Sequence, residues 1–147
     1  LKLIGAVSNE VVTSIKEHGL ERQMNLLGYV SHEIALQEQK SSQVLLLIEI
    51  NSPETKCIIP GKLFEYMVSE RPILALGPVG ADFEQIIKST NTGVFFTYNE
   101  KEALKSQISI YFDAFLNKNL TVNAVGLQKY SRKSLTGDLA RLLNSDS

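Results

Sequence analysis

The chain is poor in the residues that hold metals. It has one cysteine, Cys57, and two histidines, His18 and His32. A single thiol excludes an internal disulfide and a cysteine metal cluster, and two histidines without a neighbouring acid pair give no reason to expect a metal. Long hydrophobic runs are also missing. The most apolar stretch, residues 44–50, has the length of a strand, against the ~20 residues that cross a bilayer. Neither sign of charge dominates, since 15 Lys and Arg face 16 Asp and Glu for a net charge of −1. Without a basic stripe, nucleic acid and anionic membrane surfaces are not expected partners. No secretion signal is readable, so the cytoplasm is the expected compartment. Several site signatures are absent as well. Gly5-Ala6-Val7-Ser8 carries one glycine where a dinucleotide fingerprint needs three, and there is no Walker lysine loop. No serine elbow accompanies either histidine, and the clustered aspartates of a phosphate-accepting receiver are not there.

What is present is a regular alternation. The 147 residues suffice for one domain with its own core. The chain opens on Leu1 inside an apolar run, so it is expected to be a piece of a longer protein. Residues 1–7 read as a first strand. Ser8 or Asn9 caps a helix that reaches His18, and Gly19 stops it. Residues 25–30 form a second strand, and Ser31 caps a helix to about Lys40. Residues 44–50 form the third strand and residues 51–59 a polar loop. Asp82 with Gln85, and Asn99 with Glu102, look like capping boxes opening two further helices, with the strand Gly93-Val94-Phe95-Phe96 between them. Residues 117–130 show little pattern. Residues 131–144 read as a last helix, with Leu135, Leu139, Leu142 and Leu143 at helical spacing and Gly137 as its weak point. Five strands alternating with helices predict about five parallel strands in a doubly wound α/β sheet with helices on both faces.

The stretch around which the rest is arranged is Ile58-Ile59-Pro60-Gly61-Lys62-Leu63-Phe64-Glu65-Tyr66-Met67-Val68, followed by Arg71-Pro72-Ile73-Leu74-Ala75-Leu76. Pro60 and Gly61 open a helix, and Arg71-Pro72 is expected to end it. At about 100° per residue, Leu63, Phe64, Met67 and Val68 make an apolar stripe, with Lys62, Glu65 and Ser69 opposite. Ile73 to Leu76 is an unbroken apolar run, as a strand covered on both faces requires. An exposed face with a weak Lys62–Glu65 ion pair would account for the two charges. The helix start offers another reading. Free N–H groups at Gly61, Lys62 and Leu63, with the Lys62 charge, suit an anion, and Glu65 one turn later can accept from a diol. In open parallel sheets ligands bind beyond the carboxyl ends of the strands. That edge would hold this loop, the Gly77-Pro78-Val79-Gly80 turn and the Gly28-Tyr29-Val30-Ser31 turn.

Pro60-Gly61-Lys62-Leu63-Phe64-Glu65-Tyr66 with Arg71-Pro72-Ile73-Leu74 resembles the signature of group 1 (family 4) glycosyltransferases, and more narrowly the bacterial enzymes that build surface polysaccharides. The resemblance extends over nearly the whole chain. It implies the C-terminal, donor-binding domain of a GT-B enzyme: a Rossmann-like half facing an N-terminal acceptor domain of the same parent protein across a cleft. It implies a nucleotide-sugar donor, expected to be UDP-linked, and no further cofactor or metal. Gly61, Lys62 and Leu63 would take the donor diphosphate and Glu65 the ribose. Tyr29 and Val30 would lie near the base, and Gly80 and Ala81 would add to the phosphate side. No catalytic residue is assigned to this half, which alone would bind donor without turnover. The parent protein would act in the cytoplasm, with a peripheral place at the inner membrane face open to it.

Two positions depart from the family pattern. Many members carry two glutamates eight positions apart; the second matches Glu65, and the first falls at Cys57. Glu54, three residues earlier, is the candidate to replace it at the transferred sugar. The Arg and Lys pair that follows the first strand in the family is replaced by Ser8-Asn9-Glu10. Two other readings stay open: a UDP-sugar 2-epimerase, which shares the architecture, and a degenerate Rossmann-like module that only binds a partner chain.

Overall fold

The computed structural model describes residues 1–145. The chain divides into two compact units, Leu1–Glu38 and one that begins at Gln39.

In the first unit, β1 (Lys2–Ile4) pairs in parallel with β2 (Asn25–Gly28) across the helix α1 (Asn9–Glu17). Ser8 caps α1 as the sequence predicts, its hydroxyl accepting from the Val11 N–H. Both strands are shorter than expected. Left-handed glycines close them, Gly5 with φ +98° and Gly28 with φ +64°, and the pairing slips between Leu3 and Ile4. No residue of this unit is fully buried. The helix α2 (His32–Ser41) starts here, with the Ser31 hydroxyl accepting from the Ile34 N–H, and its last residues belong to the second unit.

The second unit holds β3 (Leu45–Ile48), β4 (Ile73–Gly77) and β5 (Gly93–Thr97), all parallel, in the order β3-β4-β5. Between them lie α3 (Lys62–Met67) and α4 (Asp82–Thr90); α5 (Lys101–Leu116) and α6 (Arg132–Ser145) follow. The single five-stranded sheet expected from the alternation is thus corrected: the described strands form a two-stranded and a three-stranded parallel sheet. Alternation predicts parallel pairing, which holds, but it does not say which strands become neighbours. Three- and four-residue strands ended by left-handed glycines offer little ladder to extend.

The central strand β4 is buried along Ile73, Leu74 and Ala75, as its apolar run predicts. On one face of the sheet Leu47, Ile73 and Ala75 meet Leu63 and Met67 of α3 and Phe83, Ile86 and Ile87 of α4. Each Leu, Ile, Met or Phe side chain removed from water contributes roughly 1.5–3 kcal/mol, so this layer dominates the stability of the unit. Phe83 meets Phe95 edge to face, with centroids 5.4 Å apart. The other face is less complete. α5 contributes Ile108, Tyr111, Phe112 and Phe115 beside Val44 and Leu74 around an open apolar cavity of about 330 Å³. Leu46 and Ile48 of β3 stay exposed there.

Several helix ends differ from the sequence reading. α4 is capped by Ala81, with no side-chain bond, and Asp82 is its first residue. α5 starts after Glu100, whose carboxylate accepts from the N–H and hydroxyl of Thr97, where Asn99 was expected as the cap. α6 runs through Gly137 without a break, but Leu135, Leu139, Leu142 and Leu143 are all exposed. No helix among the described residues is long and apolar enough to cross a membrane.

Candidate functional site

Because β3, β4 and β5 are parallel, their carboxyl ends share one edge. Residues 49–61 leave β3 there, form one tight turn at Pro53–Thr55, and enter α3. The Pro78-Val79-Gly80-Ala81 turn leaves β4 at the same edge and enters α4. The two connections are joined, since the Asp82 N–H donates to the Lys56 carbonyl over 2.8 Å.

α3 has only six residues. Gly61 precedes it in a right-handed helical conformation, and the Leu63 N–H donates to the Pro60 carbonyl at 2.9 Å. Leu63 is itself fully buried. The expectation of three free amides is therefore corrected. Leu63 spends its N–H on closing the turn, which leaves the N–H groups of Gly61 and Lys62 without a partner among the described residues. Both residues are exposed, and the Lys62 side chain has no ion pair among the described residues. With so short a helix the dipole adds little, and the cation is the main attraction for an anion.

The helix ends at Met67, four residues before Arg71, earlier than the Arg71-Pro72 stop predicts. Ser69 explains it: its hydroxyl donates to the Tyr66 carbonyl at 2.6 Å and accepts from the Arg71 N–H at 3.3 Å, a local alternative to another helical turn. Glu70 follows with φ 60°. The apolar stripe is also narrower than expected. Leu63 and Met67 are buried, whereas Phe64 and Val68 are exposed; Tyr66 packs against the core instead.

Glu65 is half-buried and makes no ion pair with Lys62 among the described residues. Its partner is Gln39, near the end of α2, whose Nε2 donates to Glu65 Oε2 at 3.2 Å. The neighbouring Lys40 carbonyl accepts from Arg71 Nε at 2.8 Å, so the end of α2 is tied to the middle of α3 and to the segment that follows it. Burial, then the adjacent Glu65 carboxylate, push the Tyr66 phenol above its ordinary pKa.

On the β4 turn, Ala81 is buried and its N–H donates to the Pro78 carbonyl at 3.2 Å. Of the expected pair, Gly80 alone keeps an exposed amide, in a left-handed conformation with φ 76°. Tyr29 and Val30 lie in the first unit. Tyr29 is 86% exposed, so its ring is open for stacking rather than part of a core, and Val30 is half-buried. Cys57 is an exposed free thiol and Glu54 is exposed in the turn after β3. No group of three or more His, Cys, Asp or Glu able to hold a metal occurs among the described residues.

The structure thus brings Gly61, Lys62 and Glu65 together on one helical turn, and the Lys56–Asp82 bond ties the β4 turn to the loop that leads there. Sequence reasoning missed Gln39. A glutamine on a polar helix looks like a solvated residue, and nothing local marks a bond to a residue 26 positions away. Comparison with protein-family models, curated proteins and solved structures yields no match.

Proposed function

We propose that this chain is the donor-binding half of a glycosyltransferase that moves a sugar from a nucleoside diphosphate to a glycan or lipid-linked acceptor. The observation that carries the proposal is the arrangement on α3: an exposed Lys62 with open amides at Gly61 and Lys62, and Glu65 one turn on, held by Gln39, at the carboxyl edge of a parallel sheet. Cation and amides suit the diphosphate; the carboxylate suits the ribose diol. As the sugar–phosphate bond breaks, negative charge grows on the departing diphosphate, and fixed donors aimed at it lower the barrier. Glu65 contributes by orienting the donor.

Isothermal calorimetry with UDP, GDP and UDP-sugars tests this. Binding in the micromolar to millimolar range is expected, and Glu65→Ala should weaken UDP about tenfold or more while leaving pyrophosphate unaffected, as a hydrogen bond to a charged group implies. Absence of binding for every nucleotide at millimolar concentration removes the reading.

One observation favours the alternative of a partner-binding module. The exposed apolar residues Ile108, Phe112 and Phe115 line one open cavity, a surface of the kind that marks interaction sites. That reading expects no nucleotide binding and a change in oligomeric state on substituting Phe112 by Ser. The charged, Gln-supported arrangement on α3 has no role in it, so the donor-binding reading is preferred.

A further inference from the structure

Gln39 is bonded in an unusual way. Its Nε2 donates to Glu65 Oε2 at 3.2 Å, while its own Oε1 is buried and has no partner among the described residues. Leaving a buried amide oxygen unpaired is unfavourable. Turning the amide over would set Oε1 against the Glu65 carboxylate, two acceptors face to face, which is worse. The amide is therefore held by what it donates, and the cost is carried at its other end. A glutamine serving only to join α2 to α3 would do so better with both ends paired, and the Arg71–Lys40 bond already makes that junction. What Gln39 adds is restraint on the carboxylate: Oε2 is engaged, and Oε1 of Glu65 is left without a partner among the described residues.

We infer that Gln39 is a positioning residue that sets Glu65 for recognition of a vicinal diol, and so determines whether the site distinguishes a ribonucleotide from its deoxy analogue. The inference rests on the donor-binding reading above. Gln39 offers the ligand no acceptor, because its free oxygen is buried. It acts by limiting rotation of the carboxylate, so that a diol meets an acceptor already in place.

The test compares UDP, 2′,3′-dideoxy-UDP and inorganic pyrophosphate on the wild-type protein and on Gln39→Met, with Gln39→Glu as a second variant. Methionine keeps length and volume but removes both polar groups. Thermal stability should change little, because the unpaired buried oxygen and the donor to Glu65 are lost together. The wild type should prefer UDP over the dideoxy form by about tenfold or more, and both variants should cut that preference to about twofold. Pyrophosphate affinity should stay unchanged in Gln39→Met. A Gln39→Met protein that loses stability yet keeps the full preference makes Gln39 a structural brace and overturns the inference, while donor binding stands. A wild type that binds UDP and its dideoxy form equally overturns the ribose role of Glu65 together with that of Gln39. A wild type that binds neither overturns the donor-binding reading itself.

Discussion

The backbone N–H of Asp82 donates to the carbonyl of Lys56 over 2.8 Å, joining the first residue of α4 to the loop that precedes α3. Two connections that are distant in sequence thereby share one hydrogen bond at the carboxyl edge of the sheet. The bond also occupies one of the amides that a helix start would otherwise present.

Asp82→Pro tests what this bond does. Proline is well tolerated at the first position of a helix, and Ala81 before it already has the extended conformation, φ −65° and ψ 133°, that a following proline demands. The substitution therefore removes the donor with little other disturbance. Stability should fall by about 0.5–1.5 kcal/mol, and amide exchange in residues 51–61 should accelerate. If exchange there is unchanged, the loop is held by something other than this bond.

Two glycines in the sheet should respond differently to alanine. A Cβ on Gly93 would lie 2.0 Å from the Ile73 carbonyl oxygen, which belongs to the paired strand. A Cβ on Gly77 would lie 2.8 Å from Phe83 Cζ and 3.0 Å from Phe95 Cε2. Rings can rotate or shift, whereas a laddered backbone cannot move without giving up its bonds. Gly77→Ala should cost about 1–3 kcal/mol, the usual range for overpacking, and Gly93→Ala clearly more. Urea unfolding measures both, and equal losses would mean that the strand yields as readily as the rings.

Glu100 predicts a dependence on pH. The Thr97 N–H first, and the Thr97 hydroxyl second, hold its carboxyl below the ordinary glutamate range. A depressed folded-state pKa means that the unfolded chain binds the proton more readily. The contribution is therefore complete above the unfolded value and is lost as pH falls through the folded one. Urea midpoints from pH 6 down to pH 3 should decline less steeply in Glu100→Gln than in the wild type. Parallel declines would show that the Thr97 bonds do not favour the charged form.

Much of the local structure could be read from the residues. Ser8 and Ser31 cap helices where their spacing predicts, and Gly19 takes the left-handed conformation, φ 72°, that a helix stop requires. Ile73, Leu74 and Ala75 are buried as a continuous apolar run implies. The misreadings share a cause, which is competition between nearby partners. Glu100, anchored by the Thr97 N–H and hydroxyl, takes the cap position expected of Asn99, Ser69 ends α3 before Pro72 can, and Leu63 spends its amide on Pro60. Propensity and spacing cannot rank such options when they differ by about 1 kcal/mol.

The sequence alone determined the order of helices and strands, the parallel sense of the strands, and the presence of a cation and a carboxylate one helical turn apart. Those features follow from short-range sterics and the hydrophobic period, which act within a few residues. The tertiary structure alone decided that the strands divide between two sheets, that α6 leaves its leucines exposed, and that Gln39 reaches Glu65. Each depends on which distant segments meet, and a bond between residues 26 positions apart leaves no mark in the pattern of either one's neighbours.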